Sequence, residues 1–254
     1  MARNKTIQSD ERDLREGLQY LKLSSFIENY EKTAQRAAKD NWGHVQYLNE
    51  LTEAEVNLRR DRSIQRRIRL ARFPVIKTLD DFNWNWPKKI NRPQVQDLFR
   101  LSFIEKKENV IFLGGVGLGK THLSIALANQ ACLKGYTALF ASAVDIINTL
   151  AAAQNAGRFK AELRKYLKPS LLLVDELGYL PVDRTGADLL FQVISQRYES
   201  GSIVLTTNKQ FKKWPEIFCN DSTLTSAVLD RILHHAHTIP IEGPSYRMKD
   251  RIDA

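Results

Sequence analysis

The sequence predicts an α/β protein. A doubly wound domain, with a central parallel sheet of five strands flanked by helices, follows a small all-helical module. Two observations carry this. From Asn109 onward, five short apolar runs alternate with helical segments: VIFLG (110–114), TALFAS (137–142), LLLVDE (171–176), SIVLTTN (202–208) and TIPIEG (238–243). Runs that are apolar throughout belong to strands buried on both faces. Upstream, no alternating or β-branched run interrupts residues 1–73. Ser25 to Glu28 and Thr52 to Glu55 both fit capping boxes that open helices.

Taken in order, residues 1–73 form the helical module, and the Thr52 box is expected to open its most charged helix. RRDRSIQRRIRLAR, residues 59–72, holds seven arginines and one acid. On a helix, Arg59, Arg60, Arg62, Arg66, Arg67 and Arg69 cover about half the circumference, while Ile64, Ile68 and Ala71 form the opposite stripe. Only Glu55 to Arg59 offers a favourable i to i+4 acid partner, so most of these like charges repel one another unless an anion is bound. Phe73-Pro74 ends the helix. Residues 74–108 read as a linker and a helix leading into the sheet. Within them TLDDFNWNWP, with Phe82, Trp84 and Trp86, is expected to be a strap packed on the domain at 109–254.

The chain has 254 residues and a formal charge of +9, with an isoelectric point near 9.5. A cationic surface attracts phosphates at long range and holds them by counterion release, so a polyanion is the expected partner. Cys132 and Cys219 are too few for a disulfide framework and form no CxxC pair. No apolar run approaches the roughly 20 residues of a membrane span, and the N-terminus lacks a signal-peptide core. The expectation is a soluble cytoplasmic protein without a membrane partner.

The first apolar run leads straight into GGVGLGKTH. Gly114, Gly119, Lys120 and Thr121 fill GxxxxGK[ST], with Gly115, Val116, Gly117 and Leu118 completing the loop and His122 directly after it. Such a loop turns backbone amides toward one anion, and the next helix presents its positive end to the same phosphates. Lys120 is suited to the β and γ phosphates and the Thr121 hydroxyl to magnesium. Asp175 and Glu176 close the third run, where two acids suit magnesium binding (Asp175) and deprotonation of the attacking water (Glu176). Asn208, ending the fourth, could position that water. Arg231, beside Asp230 on a helix, could stabilise phosphoryl transfer in a neighbouring subunit. Arg247 lies in GPSYRMKDR near the end of the chain.

His234, His235 and His237 lie close in sequence, but His234 and His235 on one helix would diverge by about 100°, which argues against a metal site. His122 suits packing better than base catalysis. A second basic cluster, Arg158, Lys160, Arg164 and Lys165 in AGRFKAELRKY, reads as a short helix with Lys160 and Arg164 on one face; Lys209, Lys212 and Lys213 form a weaker third.

GGVGLGKTH, LLLVDELGYLP, TTN, AVLDRILHHA and SYRMKDR, in this order, resemble the AAA+ ATPases of the DnaC helicase-loader clade. Within it they look most like the IstB-type helper ATPases of bacterial transposons. The resemblance covers about residues 76–254, and LRRDRSIQRRIRLARFP extends it upstream. It implies a P-loop AAA+ fold, ATP and magnesium, Walker A at Lys120 and Thr121, Walker B at Asp175 and Glu176, and sensor 1 at Asn208. It further implies a trans-acting finger at Arg231 and sensor 2 at Arg247. Only eleven residues follow Gly243, too few for the helical lid that ordinarily carries or supports sensor 2, so the lid is expected to be missing. The resemblance also makes the cluster at 158–165 a candidate DNA contact.

The function expected is an ATPase that oligomerises on duplex DNA when ATP is bound and recruits or activates a transposase. Two rivals stand beside it: a DnaC-like helicase loader acting on single-stranded DNA, and an interaction scaffold that binds ATP with negligible turnover.

Overall fold

The computed structural model describes residues 2–248, with side chains from residue 11. The chain divides into two compact units, residues 1–66 and 67–254. Helices α1 (Ala2–Tyr20), α2 (Ser24–Lys39) and the long α3 (His44–Ala71) come first. Beyond Arg66, α3 buries Ala71 and packs Ile68 in the core of the second unit.

Both expected capping boxes fail, for one physical reason. Thr52 lies inside α3, two turns past its start, and its hydroxyl donates back to the Leu48 carbonyl at 2.7 Å. The arginine-rich helix therefore begins at His44. Ser25 is likewise inside α2, whose N-cap, Leu23, makes no side-chain cap bond. The capping is tertiary instead. Ser25 donates its backbone N–H to Glu55 Oε2 at 2.8 Å, and Arg59 Nε donates to Glu55 Oε1 at 2.7 Å. An acid of the second box thus satisfies an orphan amide at the start of the helix assigned to the first. Burial alone would raise the Glu55 pKa, but Arg59, the Ser25 amide and Arg62 outweigh it and hold the carboxyl below its usual range.

The second unit opens with short helices α4 (Arg92–Leu98) and α5 (Ser102–Glu105). It continues through β1 (Asn109–Gly114), α6 (Lys120–Leu133), β2 (Ala138–Ser142), α7 (Ala143–Asn155), α8 (Phe159–Leu167) and β3 (Leu171–Leu177). There follow α9 (Arg184–Arg197), β4 (Ser202–Thr207), a 3-10 turn (Phe211–Glu216), α10 (Ser222–Leu233), β5 (Ala236–Ile241) and a last 3-10 turn (Tyr246–Met248). The five strands are parallel in the order β2-β3-β4-β1-β5. All five expected strands are present. The last begins two residues early, because Ala236 and His237 already pair with Asn109 and Val110.

Alternate residues of each strand enter different cores. Ile111, Leu172, Ile203 and Leu205 face one, packed with α7, α9 and α10; Val110, Phe112, Leu173 and Val204 face the other, packed with α6. This two-sided burial is what apolar strand runs without alternation report. At the amino edge of the sheet, the fully buried Arg197 donates through Nη1 and Nη2 to the carbonyls of Tyr166 (2.8 Å), Pro169 (3.0 Å), Ser170 (3.2 Å) and Ser202 (2.7 Å). Burial pulls its pKa down to about 10. Cys132 is buried, its thiol pushed up to about 11 by desolvation, whereas Cys219 is exposed; both are free thiols. Among the described residues no helix is long and apolar enough to cross a membrane.

Candidate nucleotide-binding site

Because all strands run one way, the loops that follow β1, β3 and β4 gather at one edge. They border a cleft of about 530 Å³. The β1–α6 loop forms its floor, and two of its glycines are sterically required. A Cβ on Gly114 would lie 2.2 Å from the Ile241 carbonyl oxygen on the neighbouring strand. Gly119, the N-cap of α6, has φ of 82°, and a Cβ there would meet the Phe82 ring at 2.6 Å. Val116 to His122 line the cleft, while Gly114 and Gly115 support it from the strand side. The N-terminus of the fourteen-residue α6 opens there, an anion site by its amides and dipole.

Lys120 Nζ donates to the Gly115 carbonyl at 2.6 Å. Burial lowers its pKa; Asp175 and Glu176 pull the other way, and the charge of Arg247 adds to the lowering. Thr121 Oγ1 donates to Asp175, 2.9 Å from Oδ1 and 3.1 Å from Oδ2. Asp175 itself is buried behind the threonines. Thr206 Oγ1 donates to Asp175 Oδ1 at 2.6 Å and accepts the Glu176 N–H at 2.9 Å. A bulge makes this possible: between the pairs Val174–Leu205 and Leu177–Thr207, two residues of β3 oppose Thr206 alone. The bulge leaves Glu176 in the left-handed region, φ 60°, with its exposed side chain lining the cleft. Asn208, just past β4, lines it too. Hydroxyl and carboxylate oxygens clustered at Thr121 and Asp175 are the hard donors magnesium takes, so this part of the site fits that ion.

Two further segments, the strap and the chain after β5, complete the cleft. The expected strap lies beside the phosphate loop, with Phe82 buried and stacked edge-on against His122 at 5.5 Å. His122 donates from Nε2 to the Thr78 carbonyl at 2.9 Å, and burial lowers its pKa; it packs the strap on α6. Trp86 Nε1 donates to the Pro244 carbonyl at 2.9 Å, and its ring meets Tyr246 edge-on at 5.2 Å. Tyr246 donates its N–H to the Gly117 carbonyl at 2.9 Å, which carries Arg247 to the cleft wall. Lys89 and Glu242 pair through both backbone bonds, tying the strap to the chain after β5. The aromatic triplet at 82–86 signals a strap packed on the domain, as found, but not that it borders the phosphate loop.

The remaining candidates lie elsewhere. Arg231 does not line the cleft of its own chain; its Nη1 donates to the Ala227 carbonyl at 2.9 Å and its guanidinium stacks 5.0 Å from the Phe191 ring. Arg59 is held by Glu55 and the Lys22 carbonyl, and Arg62 by Ser24 Oγ at 3.3 Å. Arg67 donates to the Cys132 carbonyl at the end of α6 (2.9 Å), a packing role inside the second unit. Arg66 and Arg69 are exposed, with no ion pair among the described residues. On α8, which buries Leu163 and Tyr166, Lys160 and Arg164 are exposed and Arg158 is the N-cap residue; Lys165 pairs with Glu162 at 2.7 Å. Lys209 pairs with Glu216 at 2.7 Å, and Lys212 and Lys213 are exposed.

The profile of the IstB-like ATP binding proteins matches residues 17–254. A protein of Geobacillus stearothermophilus, named for ATP binding in insertion sequence IS5376, is 40% identical over 231 residues, 91% of this chain and 92% of its own. One from Pseudomonas aeruginosa, named for ATP binding in insertion sequence IS21, is 39% identical over 92% of this chain and 88% of its own. Among solved structures, the DnaC helicase loader matches with a TM-score of 0.54 at 22% identity, over 65% of this chain and 96% of that one. DnaI matches with a TM-score of 0.56 at 19% identity, over 68% and 93%. These structures share the P-loop AAA+ fold of residues around the cleft, and the chain belongs to the IstB-like ATP-binding family of IS21-type insertion sequences.

Proposed function

We propose that the chain hydrolyses ATP, assembles with further copies of itself on duplex DNA while ATP is bound, and there recruits or activates a transposase. The observation that carries the catalytic part is the placement of Glu176. Its carboxylate lines the cleft beside Lys120, Thr121 and Asn208, aimed by a bulge and by its amide bond to Thr206. Glu176 takes the proton of the attacking water, Asn208 orients that water, and Lys120 holds the β and γ phosphates. Magnesium bound at Thr121 and Asp175 would neutralise charge on those phosphates. Phe82, Trp86 and Tyr246 line the same cleft and supply the apolar surface on which a base and ribose pack.

Arg231, which does not line its own cleft, reaches a neighbour's γ phosphate, and Arg247, which does, contacts the nucleotide of its own chain. Assembly then lasts as long as the γ phosphate does. Membership of an insertion-sequence family favours a transposase over a replicative helicase as partner. For DNA, exposed Arg66 and Arg69, the Lys160 and Arg164 face of α8 and Arg158 at its start supply backbone contacts, consistent with the charge of +9.

Glu176→Gln tests the catalytic part. Turnover falls by about 10²–10⁴-fold while ATP binding persists and the DNA-bound oligomer accumulates; turnover equal to the parent's refutes the assignment. Arg66→Ala with Arg69→Ala tests the DNA part. The slope of log affinity against log salt becomes shallower by about 0.9 for each phosphate the protein no longer neutralises, with ATP affinity unchanged. A tighter complex with single strands than with duplex would favour the helicase-loader reading.

A further inference from the structure

A second cluster of chemistry lies at the ends of α9 and α10. Just past them, Glu199, His234 and His235 bring one carboxylate oxygen and two imidazole nitrogens within 4.8 Å of one another, all three residues exposed. The backbone stays helical through His234, whose N–H bonds the Asp230 carbonyl, but the side chains turn toward each other and the two imidazole rings lie 4.0 Å apart, centroid to centroid. His235 Nε2 stands 3.9 Å from Glu199 Oε1. The Tyr198 hydroxyl lies 2.7 Å from His234 Nδ1, which leaves Nε2 of that ring for a ligand.

We infer that Glu199, His234 and His235 bind a divalent transition metal of the zinc, cobalt or nickel class. The donor set matches: two imidazoles and a carboxylate hold such ions with one position open to water. The spacing is close, since donors around a tetrahedral ion with bonds near 2.0–2.1 Å stand about 3.3 Å apart. Exposed side chains close the remaining gap by small rotations. With Nε2 free of its proton to bind the ion, His234 donates its Nδ1–H to the Tyr198 hydroxyl oxygen, the kind of outer contact that orients ligating histidines. The backbone helps as well. Helices of fourteen and twelve residues both end here, presenting their negative ends to the cation. Glu199 is held at φ 55° in a turn whose next two amides, of Ser200 and Gly201, donate to the Arg197 carbonyl. Lys107 and Arg231 border the adjoining pocket and oppose a cation, which limits affinity without removing a ligand. A bound ion ties the ends of α9 and α10 to the start of β5.

The test is a titration with Co²⁺ or Zn²⁺ of the full chain without a histidine tag, in excess Mg²⁺ to mask sites of oxygen donors. The parent binds one equivalent of Co²⁺ with visible ligand-field absorption, and Zn²⁺ raises its Tm. His234→Ala abolishes both responses, and Glu199→Gln, which keeps the side-chain shape, weakens the affinity about tenfold or more. His237→Ala, whose imidazole pairs with Glu108 at 2.9 Å, leaves both unchanged. Failure of the parent to bind, or equal affinity in the parent and both cluster variants, overturns the assignment.

Discussion

The Thr206 hydroxyl, 2.6 Å from Asp175 Oδ1, also receives the Glu176 amide at 2.9 Å. One side chain on β4 therefore fixes both acids of β3. Thr206→Val keeps the volume and removes both bonds. The expected result is a kcat for ATP about 10–100-fold lower with a smaller change in KM, and recovery in Thr206→Ser. Steady-state kinetics decide it; an unchanged kcat in the valine variant would mean that the bulge alone positions the acids.

Glu55 gives the helical unit a pH dependence. Its carboxyl holds a proton less tightly folded than unfolded, so its contribution is complete above the ordinary glutamate range and is lost as pH falls through the depressed folded value. Glu55→Gln should flatten the stability curve on the acid side and lower stability at neutral pH by about 1–3 kcal/mol, since the Ser25 amide and Arg59 lose a charged partner. Denaturant melts of both proteins from neutral to acid pH measure this, and parallel curves would exclude it.

Arg197 closes the amino edge of the sheet from the inside. Arg197→Met leaves the carbonyls of Tyr166, Pro169, Ser170 and Ser202 without their buried donor, a loss of about 3–5 kcal/mol. Gly201→Ala, whose Cβ would lie 2.6 Å from Nη2, should destabilise by about 1–3 kcal/mol through the same group. Urea unfolding reads both, and an Arg197→Met variant as stable as the parent would show that water replaces the guanidinium.

How far the sequence was legible follows the distance over which each feature is decided. The phosphate loop is local: strand, glycines and helix are contiguous, so Lys120 and Thr121 could be placed from residues alone. Asp175, Glu176 and Asn208 end apolar runs, and a parallel sheet brings such ends to one edge. Thr206 went unread because its role depends on a bulge, which no residue pattern marks. The strap was recognised by its aromatics, but its partner Pro244 is 158 positions away from Trp86. The Thr52 and Ser25 boxes misled because S/T-x-x-E also recurs inside helices, where Glu55 serves a different helix. Helical spacing alone does not report that the His234 and His235 rings approach to 4.0 Å.

Glu176 pays a conformational toll for its aim. A side chain with a Cβ at φ 60° costs about 1–2 kcal/mol relative to an ordinary helical or extended backbone. Stability alone would place glycine there, and Glu176→Gly should cost the fold less than glycine does in a regular strand. Selection for folding and selection for chemistry therefore pull this position in opposite directions. A library screened only for thermal resistance would be expected to drift away from glutamate here, discarding the carboxylate the cleft is built around.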